Sequence, residues 1–283
     1  MPRIIHLSDL HFGAHDPVIV TAVEKRLDHE QADLVVISGD FTQRAHTDQF
    51  QEAGEFIKRV REAGHEVLAV PGNHDVPLYD VFRRFLSPLT RYKKFIDQTV
   101  CPFIQIEGAA VLGINTARSL TFKNGHVSHE QMAYIRETFA ETDVQQPRIL
   151  VTHHPLFALP VGDGPKLSHL MDDQDDALTT IAHAGVDLLL AGHNHRALVN
   201  DAAKLARGAG RALVIQAGTA TSTRVRGEPQ SFNRIEIDET GVRVTIQRWN
   251  GTEFESGDSD FFKRHGDQWQ LASGENVEAA PTR

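Results

Sequence analysis

The sequence predicts an α/β fold in which two facing β-sheets carry helices on their outer sides. Up to Val70, short apolar runs alternate with stretches of helical periodicity, which is the pattern of parallel strands joined by right-handed crossovers. After Ala212 the pattern changes to strand-like alternation without helices, which indicates a second, mostly antiparallel sheet. The chain has 283 residues, of which 40% are hydrophobic, and this is enough for one large domain or two small ones.

The N-terminal elements follow from apolar runs and helical spacing. Strands are predicted at Ile4–Leu7, Leu34–Ile37 and Val67–Val70, and helices at Pro17–His29 and Thr47–Ala63. Gly64 directly follows the second helix, where a glycine provides the C-cap. Because sites in parallel sheets form at the carboxyl ends of the strands, the residues that follow these three strands are candidates for function.

The later elements continue the same pattern. The stretch Leu78–Gln98 is rich in aromatic and basic residues and is predicted to be helical, with a break near Pro88. Two more helices are predicted at Ser128–Phe139 and Asp175–Ala184. The remaining strands are predicted at Phe103–Ile106, Ala110–Ile114, Ile149–Thr152, Val186–Ala191, Leu213–Gln216, Phe232–Ile237 and Val242–Arg248. Residues 1–250 are expected to form one domain, and residues 251–283 a partly disordered extension that is frayed over Ser273–Arg283.

Composition and charge limit the classes of function. The net charge of −9 argues against a broad basic face for duplex nucleic acid, although metal ions could still supply the positive field for a phosphate. The one cysteine, Cys101, excludes an internal disulfide and is typical of a reducing compartment. The N-terminus enters a strand at once, without a signal-peptide pattern, and no apolar run is long enough to span a bilayer. We therefore expect a soluble cytoplasmic protein.

Five short polar motifs each follow an apolar run, and together they contain the candidate ligands of two metal ions. Asp, Asn and His in this mixture suit borderline divalent metals, because imidazole favours Zn, Fe, Mn or Co and carboxylate favours the harder ones. The motifs contain no thiolate, which excludes an iron–sulfur or a structural zinc site. Two metals that share a carboxylate form the clamp used for in-line displacement at phosphorus. The motifs are Asp9-Leu10-His11, Gly39-Asp40, Gly72-Asn73-His74-Asp75, His153-His154 and Gly192-His193-Asn194-His195.

In this order, the motifs resemble those of the calcineurin-like metallophosphoesterase superfamily. The resemblance extends through His195 and implies a four-layer αββα sandwich of two mixed β-sheets flanked by helices. It also implies a binuclear metal site at the strand carboxyl ends, with Mn²⁺, Fe²⁺/Fe³⁺ or Zn²⁺ as the metals. A hydroxide held by both metals would attack phosphorus, and no side-chain nucleophile is required.

The resemblance gives each motif a ligand role. Asp40 would bridge both ions, because one oxygen shared by two dications needs a negative charge. The first metal would be bound by Asp9, His11, Asp40 and His195, and the second by Asp40, Asn73, His153 and His193. Of the pair His153-His154, the family pattern favours the first as the ligand. His154 would then support the ligands or face the substrate.

Two residues of the third motif are candidates for catalysis. In the family, the histidine that matches His74 touches the phosphate or the leaving oxygen instead of a metal. Such an imidazolium can stabilise a developing alkoxide or donate a proton. Asp75 either orients His74 or caps the turn before Pro77.

Three basic or polar segments are candidates for substrate binding. Arg44 either clamps a phosphate or forms a salt bridge on the following helix. Arg118, in a segment that follows a strand, could face the substrate. The hydroxyl-rich segment Gly218–Arg224 either lines the pocket or forms a polar hairpin crossing.

Departures from the protein-phosphatase motifs indicate the branch of the superfamily. That branch carries G-D-x-x-D-R-G and G-N-H-E, whereas this chain has Gln43 and Asp75 at the corresponding positions. The chain is more similar to the bacterial phosphodiesterase branch, which includes class III cyclic nucleotide phosphodiesterases and glycerophosphodiesterases. The predicted activity is therefore hydrolysis of a small phosphodiester.

Four different functions compete with this prediction. The first is a pyrophosphatase that cleaves a nucleotide-linked lipid precursor, with residues 78–95 binding acyl chains. The favoured interpretation of that stretch is a helix that packs its aromatic residues inward and displays its basic residues outward. The next three are a phosphomonoesterase, a nuclease and a non-catalytic scaffold, of which the scaffold is disfavoured because all seven ligands are present. A homo-oligomer is an open possibility.

Overall fold

A computed structural model describes residues 1–120, 124–156, 174–202, 210–225, 227–266 and 268–272. It confirms an α/β fold of two mixed β-sheets flanked by helices. The first sheet has seven strands in the order β13-β12-β11-β10-β1-β2-β3. Strands β1, β2 and β3 run parallel, and β10 pairs with β1 in the antiparallel sense. The strands of this sheet are β1 (Arg3–Leu7), β2 (Leu34–Ser38), β3 (Val67–Val70), β10 (Ser231–Ile237), β11 (Val242–Trp249), β12 (Phe254–His265) and β13 (Gln268–Leu271).

The second sheet has six strands in the order β4-β5-β6-β7-β9-β8. Its central strands β5, β6, β7 and β9 are parallel, and β4 and β8 are antiparallel edge strands. The strands are β4 (Phe103–Ile106), β5 (Ala109–Gly113), β6 (Arg148–Val151), β7 (Leu188–Ala191), β8 (Leu198–Asp201) and β9 (Leu213–Gln216).

The helices cover the outer faces of the two sheets. They are α1 (Pro17–His29), α2 (Thr47–Glu62), α3 (Val81–Leu86), α4 (Thr90–Phe95), α5 (His129–Ala140) and α6 (Gln174–His183). Gly64 follows α2 with a φ of +96°, in the left-handed region that a helix C-cap glycine adopts. None of the helices in the described ranges combines the length and the apolar character needed to cross a bilayer.

Alternating side chains along the strands build three apolar layers between these elements. In β2, Val35 and Ile37 pack with the outer helices, whereas Leu34 and Val36 belong to the layer between the sheets. In β6, Ile149 and Val151 belong to that same middle layer, which therefore contains residues from both sheets. Since both faces of these strands are buried, they read as continuous apolar runs in the sequence.

The prediction of a separate antiparallel second sheet after Ala212 was wrong. β10 and β11 do form an antiparallel ladder, but β10 pairs with the N-terminal strand β1 and so joins the first sheet. β9 instead pairs in parallel with β7 in the second sheet. An alternation of apolar and polar residues indicates strands of an antiparallel sheet. It does not indicate which strand of the protein they pair with.

Three strands were not predicted from the sequence. β8 is a short edge strand whose side chains are mostly only half-buried, so it lacks a strong apolar pattern. β12 and β13 lie beyond residue 250 and extend the first sheet through Leu271. The domain boundary at residue 250 stays a prediction, and the fraying expected for Ser273–Arg283 lies outside the described residues.

The aromatic and basic stretch is helical with a break near Pro88, as predicted. The predicted orientation, with aromatic residues inward and basic residues outward, holds for α4, where Tyr92 is buried and Lys93 and Lys94 are exposed, but it was wrong for α3. Phe82 and Phe85 are exposed on α3, whereas Arg84 is buried. The Arg84 guanidinium donates a hydrogen bond to the Pro77 carbonyl (3.0 Å), which holds it inward. α3 has only six residues, too few to form a long amphipathic face.

Candidate metal centre

The five motifs occupy the loops that follow β1, β2, β3, β6 and β7. Because parallel strands point their carboxyl ends to one edge of a sheet, and because the two sheets face each other, these loops meet at one end of the sandwich. All seven residues that were predicted as ligands lie there: Asp9, His11, Asp40, Asn73, His153, His193 and His195.

The backbone of these loops is strained at the candidate ligands themselves. Among the residues that the structure describes, six that are not glycine have a positive φ, and five of them are Asp9 (53°), His11 (50°), Asp40 (54°), His193 (73°) and His195 (58°). A left-handed conformation costs a side-chain-bearing residue about 1 kcal/mol or more, and such residues concentrate at functional sites. The strain therefore falls on five of the seven residues that the sequence motifs predict as ligands.

Three side chains form the first ligand group. Asp9 Oδ1 lies 3.3 Å from His195 Nε2 and 3.7 Å from His11 Nε2. The two imidazole nitrogens lie 3.3 Å from each other. All three residues are buried, so an oxygen and two nitrogens converge on one point away from bulk water.

Three further side chains form the second group. Asn73 Oδ1 lies 3.0 Å from His153 Nε2 and 3.1 Å from His193 Nδ1. The two histidine nitrogens are 3.3 Å apart. This group again offers one oxygen and two nitrogens, with a neutral amide in place of the carboxylate of the first group.

Asp40 lies between the two groups. Its Oδ2 atom is 3.6 Å from His11 Nε2 in the first group and 3.4 Å from His153 Nε2 in the second. Its Oδ1 atom accepts a hydrogen bond from the backbone N–H of His74 (2.8 Å), which fixes the orientation of the carboxylate. Asp40 is thus the carboxylate whose oxygen is within reach of both groups.

Hydrogen bonds to the outer atoms orient the ligands. His153 Nδ1 donates to the Ser38 carbonyl (2.7 Å), and His195 Nδ1 donates to the Arg224 carbonyl (3.1 Å). Each of these bonds places a proton on Nδ1, so Nε2 is the nitrogen that faces the site and that a metal would bind. Asp9 Oδ2 accepts from Ser8 Oγ (2.7 Å), so that Oδ1 is directed into the site.

A glycine allows the second and fourth motifs to approach each other. Gly39 has a φ of +88°, and a Cβ at this position would lie 2.6 Å from His153 Nδ1. Any side chain here would push the histidine away from the Ser38 carbonyl. The glycine of the Gly39-Asp40 motif is therefore explained by the close approach of a ligand as well as by its backbone conformation.

The buried carboxylates and imidazoles of the site shift each other's pKa values. Burial opposes ionisation of Asp40, but the charges of His153 and His74 outweigh it and hold the pKa of the Asp40 carboxyl well below its usual range. Burial likewise opposes protonation of His153, but Asp40 and Asp9 raise its pKa to about 9. The pKa of His193 falls to about 3, chiefly through burial. The carboxylates are therefore ionised at neutral pH and attract positive charge.

The donor set fits divalent transition metals. Buried imidazole nitrogens and carboxylate oxygens from Asp9, His11, Asp40, His153 and His195 form groups whose atoms lie within 4.8 Å of one another. Divalent metals favour this mixture of imidazole and carboxylate.

His74 lies at the edge of this cluster. Its ring packs edge-on against His11, with the centroids 4.9 Å apart, and its Nδ1 donates to the Gln43 carbonyl (2.9 Å). Because this hydrogen bond occupies Nδ1, Nε2 is the nitrogen that can contact a bound substrate. Burial chiefly lowers the pKa of His74, and the nearby Asp40 carboxylate opposes that shift.

Asp75 joins two of the loops. Its carboxylate accepts hydrogen bonds from the backbone N–H groups of Gly72 (2.9 Å), Phe41 (3.2 Å) and Thr42 (2.9 Å). Burial and the neighbouring charge of Asp40 raise the pKa of Asp75 to about 6. These contacts match the turn-capping role, since the Gln43 carbonyl, and not Asp75, contacts Nδ1 of His74. The predicted catalytic role of Asp75 stays a prediction.

His154 is buried beside the second group. Its ring centroid is 4.7 Å from that of His193, and its Nδ1 lies 2.8 Å from Thr116 Oγ1. Burial holds the pKa of His154 well below its usual range, with a contribution from the neighbouring His193. The position agrees with a supporting role for His154, which remains a prediction.

The basic residues that were predicted to bind substrate lie in different parts of the structure. Arg44 Nη1 donates to the Tyr79 hydroxyl (3.0 Å), and its guanidinium lies 5.3 Å from the centre of the Tyr79 ring. Arg118 is half-buried in the segment after β5, and its contact with substrate stays a prediction. A further cation, Arg224, was not predicted individually; it is exposed and donates to Gln43 Oε1 (3.4 Å).

The hydroxyl-rich segment that contains Arg224 was predicted either to line the pocket or to form a polar crossing. Its threonines hold the first motif, because Thr219 Oγ1 donates to the Asp9 carbonyl (2.8 Å) and Thr221 Oγ1 donates to the Leu10 carbonyl (2.7 Å). Arg224 emerges from the end of this segment, and its charge contributes to the lowered pKa of His74. The clustering of hydroxyls after β9 was the one sequence signal for this arrangement.

Comparisons with known proteins identify the family and the fold. Residues 2–197 match the family described as calcineurin-like phosphoesterase. A purple acid phosphatase from yellow lupin seeds is structurally similar, with a TM-score of 0.67 and 14% identity over 98% of this chain and 57% of the lupin chain. Vacuolar protein sorting 29 from Cryptosporidium parvum has a TM-score of 0.51 and 14% identity, over 93% of this chain and 98% of that one. A sequence comparison with curated proteins gives no match.

Proposed function

The chain belongs to the calcineurin-like phosphoesterase family, and we propose that it is a metal-dependent phosphoester hydrolase. We propose further that its substrates are small phosphodiesters of the cyclic nucleotide or glycerophosphodiester type. The observation that carries this proposal is the position of Arg44. Its Nη1 donates to the Tyr79 hydroxyl and its guanidinium packs on the Tyr79 ring, and we take this contact, instead of a second phosphate clamp, as the role of Arg44. A diester carries one negative charge and needs fewer cations.

The proposal includes two divalent metal ions per chain. Asp9, His11 and His195 would hold one, Asn73, His153 and His193 the other, and Asp40 would contact both. When bound, Mn²⁺, Fe²⁺/Fe³⁺ or Zn²⁺ would polarise the phosphoryl oxygens and lower the pKa of a bound water.

The residues around the ligands have separate tasks in the proposed reaction. His74 Nε2 would hold a proton for the departing alkoxide, while the Gln43 carbonyl fixes Nδ1 and hence the ring orientation. Arg224, beside Gln43, would contact the remaining anionic oxygen of the diester. Asp75 would keep the loops after β2 and β3 in register, since it accepts from backbone groups of both.

We also infer that the enzyme acts in the cytoplasm. Cys101 is a free, half-buried thiol, which suits a reducing compartment.

We expect diester hydrolysis to exceed monoester hydrolysis at neutral to mildly alkaline pH. A monoester carries nearly two negative charges, so it would bind both metals tightly and block the attacking water. The measurement is kcat/KM with Mn²⁺ on bis-p-nitrophenyl phosphate and p-nitrophenyl phosphate, with an Asp40→Asn preparation as the control for contaminating phosphatases. A clear monoester preference would change the proposal to a phosphomonoesterase.

A further inference from the structure

An apolar patch surrounds helix α3 on the surface of the protein. It consists of Tyr79, Val81, Phe82, Phe85 and Leu86, and we call it the α3 patch. The exposed fractions reach 75% for Tyr79, 80% for Phe82 and 76% for Leu86. Five large apolar side chains within eight consecutive residues are unusual on a water-facing surface, and such a patch commonly marks an interaction site.

The local structure holds these side chains outward. Phe82, Phe85 and Leu86 are spaced three and four residues apart and therefore share one face of α3. The opposite side carries Arg84, which is buried and donates to the Pro77 carbonyl (3.0 Å). Rotating α3 to hide its aromatic residues would break this hydrogen bond. The outward position of the aromatic residues is therefore part of the folded structure.

Basic residues accompany the α3 patch. The stretch from Leu78 to Phe95 contains five basic residues and one acidic residue, in a chain whose net charge is −9. Lys93 and Lys94 on α4 are exposed, and Arg83 is exposed on α3 itself. Arg83 forms an ion pair with Asp80 (3.0 Å) and Arg84 is buried, so the two exposed lysines of α4 supply the basic character of this surface.

We propose that the α3 patch docks the protein on an anionic lipid bilayer. Aromatic and aliphatic side chains insert into the interface between headgroups and acyl chains, and neighbouring lysine and arginine residues bind anionic headgroups. A second copy of the chain is a poorer fit. In a twofold dimer the patch would face itself, which would bring the two basic segments together and cause repulsion.

The α3 patch lies close to the metal centre. Tyr79 accepts a hydrogen bond from Arg44, and the carbonyl of the adjacent Gln43 binds His74 at the edge of the ligand cluster. A bilayer that contacts Tyr79 and Phe82 would therefore lie beside the metal centre. The docking itself does not depend on which phosphoester is cleaved.

Co-sedimentation of the full metal-loaded chain with lipid vesicles tests the proposal. We expect binding to vesicles of phosphatidylcholine mixed with phosphatidylglycerol, and much weaker binding to pure phosphatidylcholine. Raised salt should weaken the binding, because it screens the basic residues. The variant Phe82→Ser/Leu86→Ser should lose about tenfold or more in vesicle partitioning, since two large apolar side chains no longer leave water.

The control is the variant Val18→Ser/Val144→Ser, which removes exposed apolar side chains at distant places in the sequence; Val144 is 76% exposed, like Leu86. It should bind the mixed vesicles like the wild type, and thermal unfolding should show that both variants are folded. The proposal is overturned if the wild type does not sediment with mixed vesicles, or if the patch variant binds as well as the control. It is also overturned if light scattering shows a wild-type dimer that the patch variant dissociates, because the occupant is then a second copy.

Discussion

Replacing Asp40 by asparagine is expected to remove both metals and abolish turnover. The Oδ2 atom of Asp40 lies 3.6 Å from His11 Nε2 and 3.4 Å from His153 Nε2, so one atom serves both ligand groups. Asparagine keeps the shape of the side chain, and its oxygen can still accept the hydrogen bond from His74 N–H. The substitution therefore removes the negative charge that two neighbouring cations require, and it places an amide NH2, which cannot bind a metal, where Oδ2 serves both groups.

Elemental analysis and activity of the same preparation measure this effect. The matched variant is Asn73→Ala, since Asn73 Oδ1 contacts His153 and His193 but belongs to the second group alone. Asn73→Ala should reduce metal content chiefly at one site, whereas Asp40→Asn should reduce it at both. An Asp40→Asn protein that keeps both metals and most of its activity would show that Asp40 is not the bridge.

Replacing His74 by alanine is expected to slow catalysis by about 10²–10⁴-fold while metal content is retained, the range for a lost general acid. His74 contacts the Gln43 carbonyl through Nδ1, and its backbone rather than its ring is bonded to Asp40. Loss of the imidazole should therefore leave the ligands in place. His29→Ala, at the exposed end of α1, is the control for the loss of a histidine elsewhere.

The choice of leaving group separates two roles of His74. A proton donor matters most for a poor alkoxide leaving group and little for p-nitrophenolate, which leaves without a proton. We therefore expect a larger loss of kcat with an alkyl diester than with bis-p-nitrophenyl phosphate. Equal losses on both substrates would mean that His74 only positions the phosphate. Loss of metal from His74→Ala would make it a ligand or a support of the ligands.

The sequence was sufficient to predict the elements that carry the site. β1, β2, β3, β6 and β7 are buried on both faces, so each appears as an apolar run, and a polar motif follows each run directly. The parallel arrangement then brings those motifs to one end. Strand order and local pattern thus place the motifs together, whereas the assignment of each ligand to a metal came from the resemblance to the family.

Long-range pairing and orientation could not be predicted in the same way. The pairing of β10 with β1 joins residues about 230 positions apart in sequence, for example Arg3 with Glu236, and no local pattern records it. The outward orientation of Phe82 depends on one buried hydrogen bond from Arg84 to Pro77. The place of Arg224 depends on how the segment after β9 wraps around the first motif. Each of these features is set by tertiary contacts instead of by periodicity.

The metal-to-protein ratio during reconstitution tests the central claim most directly. Protein stripped of metal is titrated with Mn²⁺, and bound metal and diesterase activity are measured at each step. We predict that binding saturates at two ions per chain and that full activity requires the second ion. In two-metal sites of this kind the ions lie about 3.5–4 Å apart. Saturation at one ion per chain with full activity would contradict the binuclear centre.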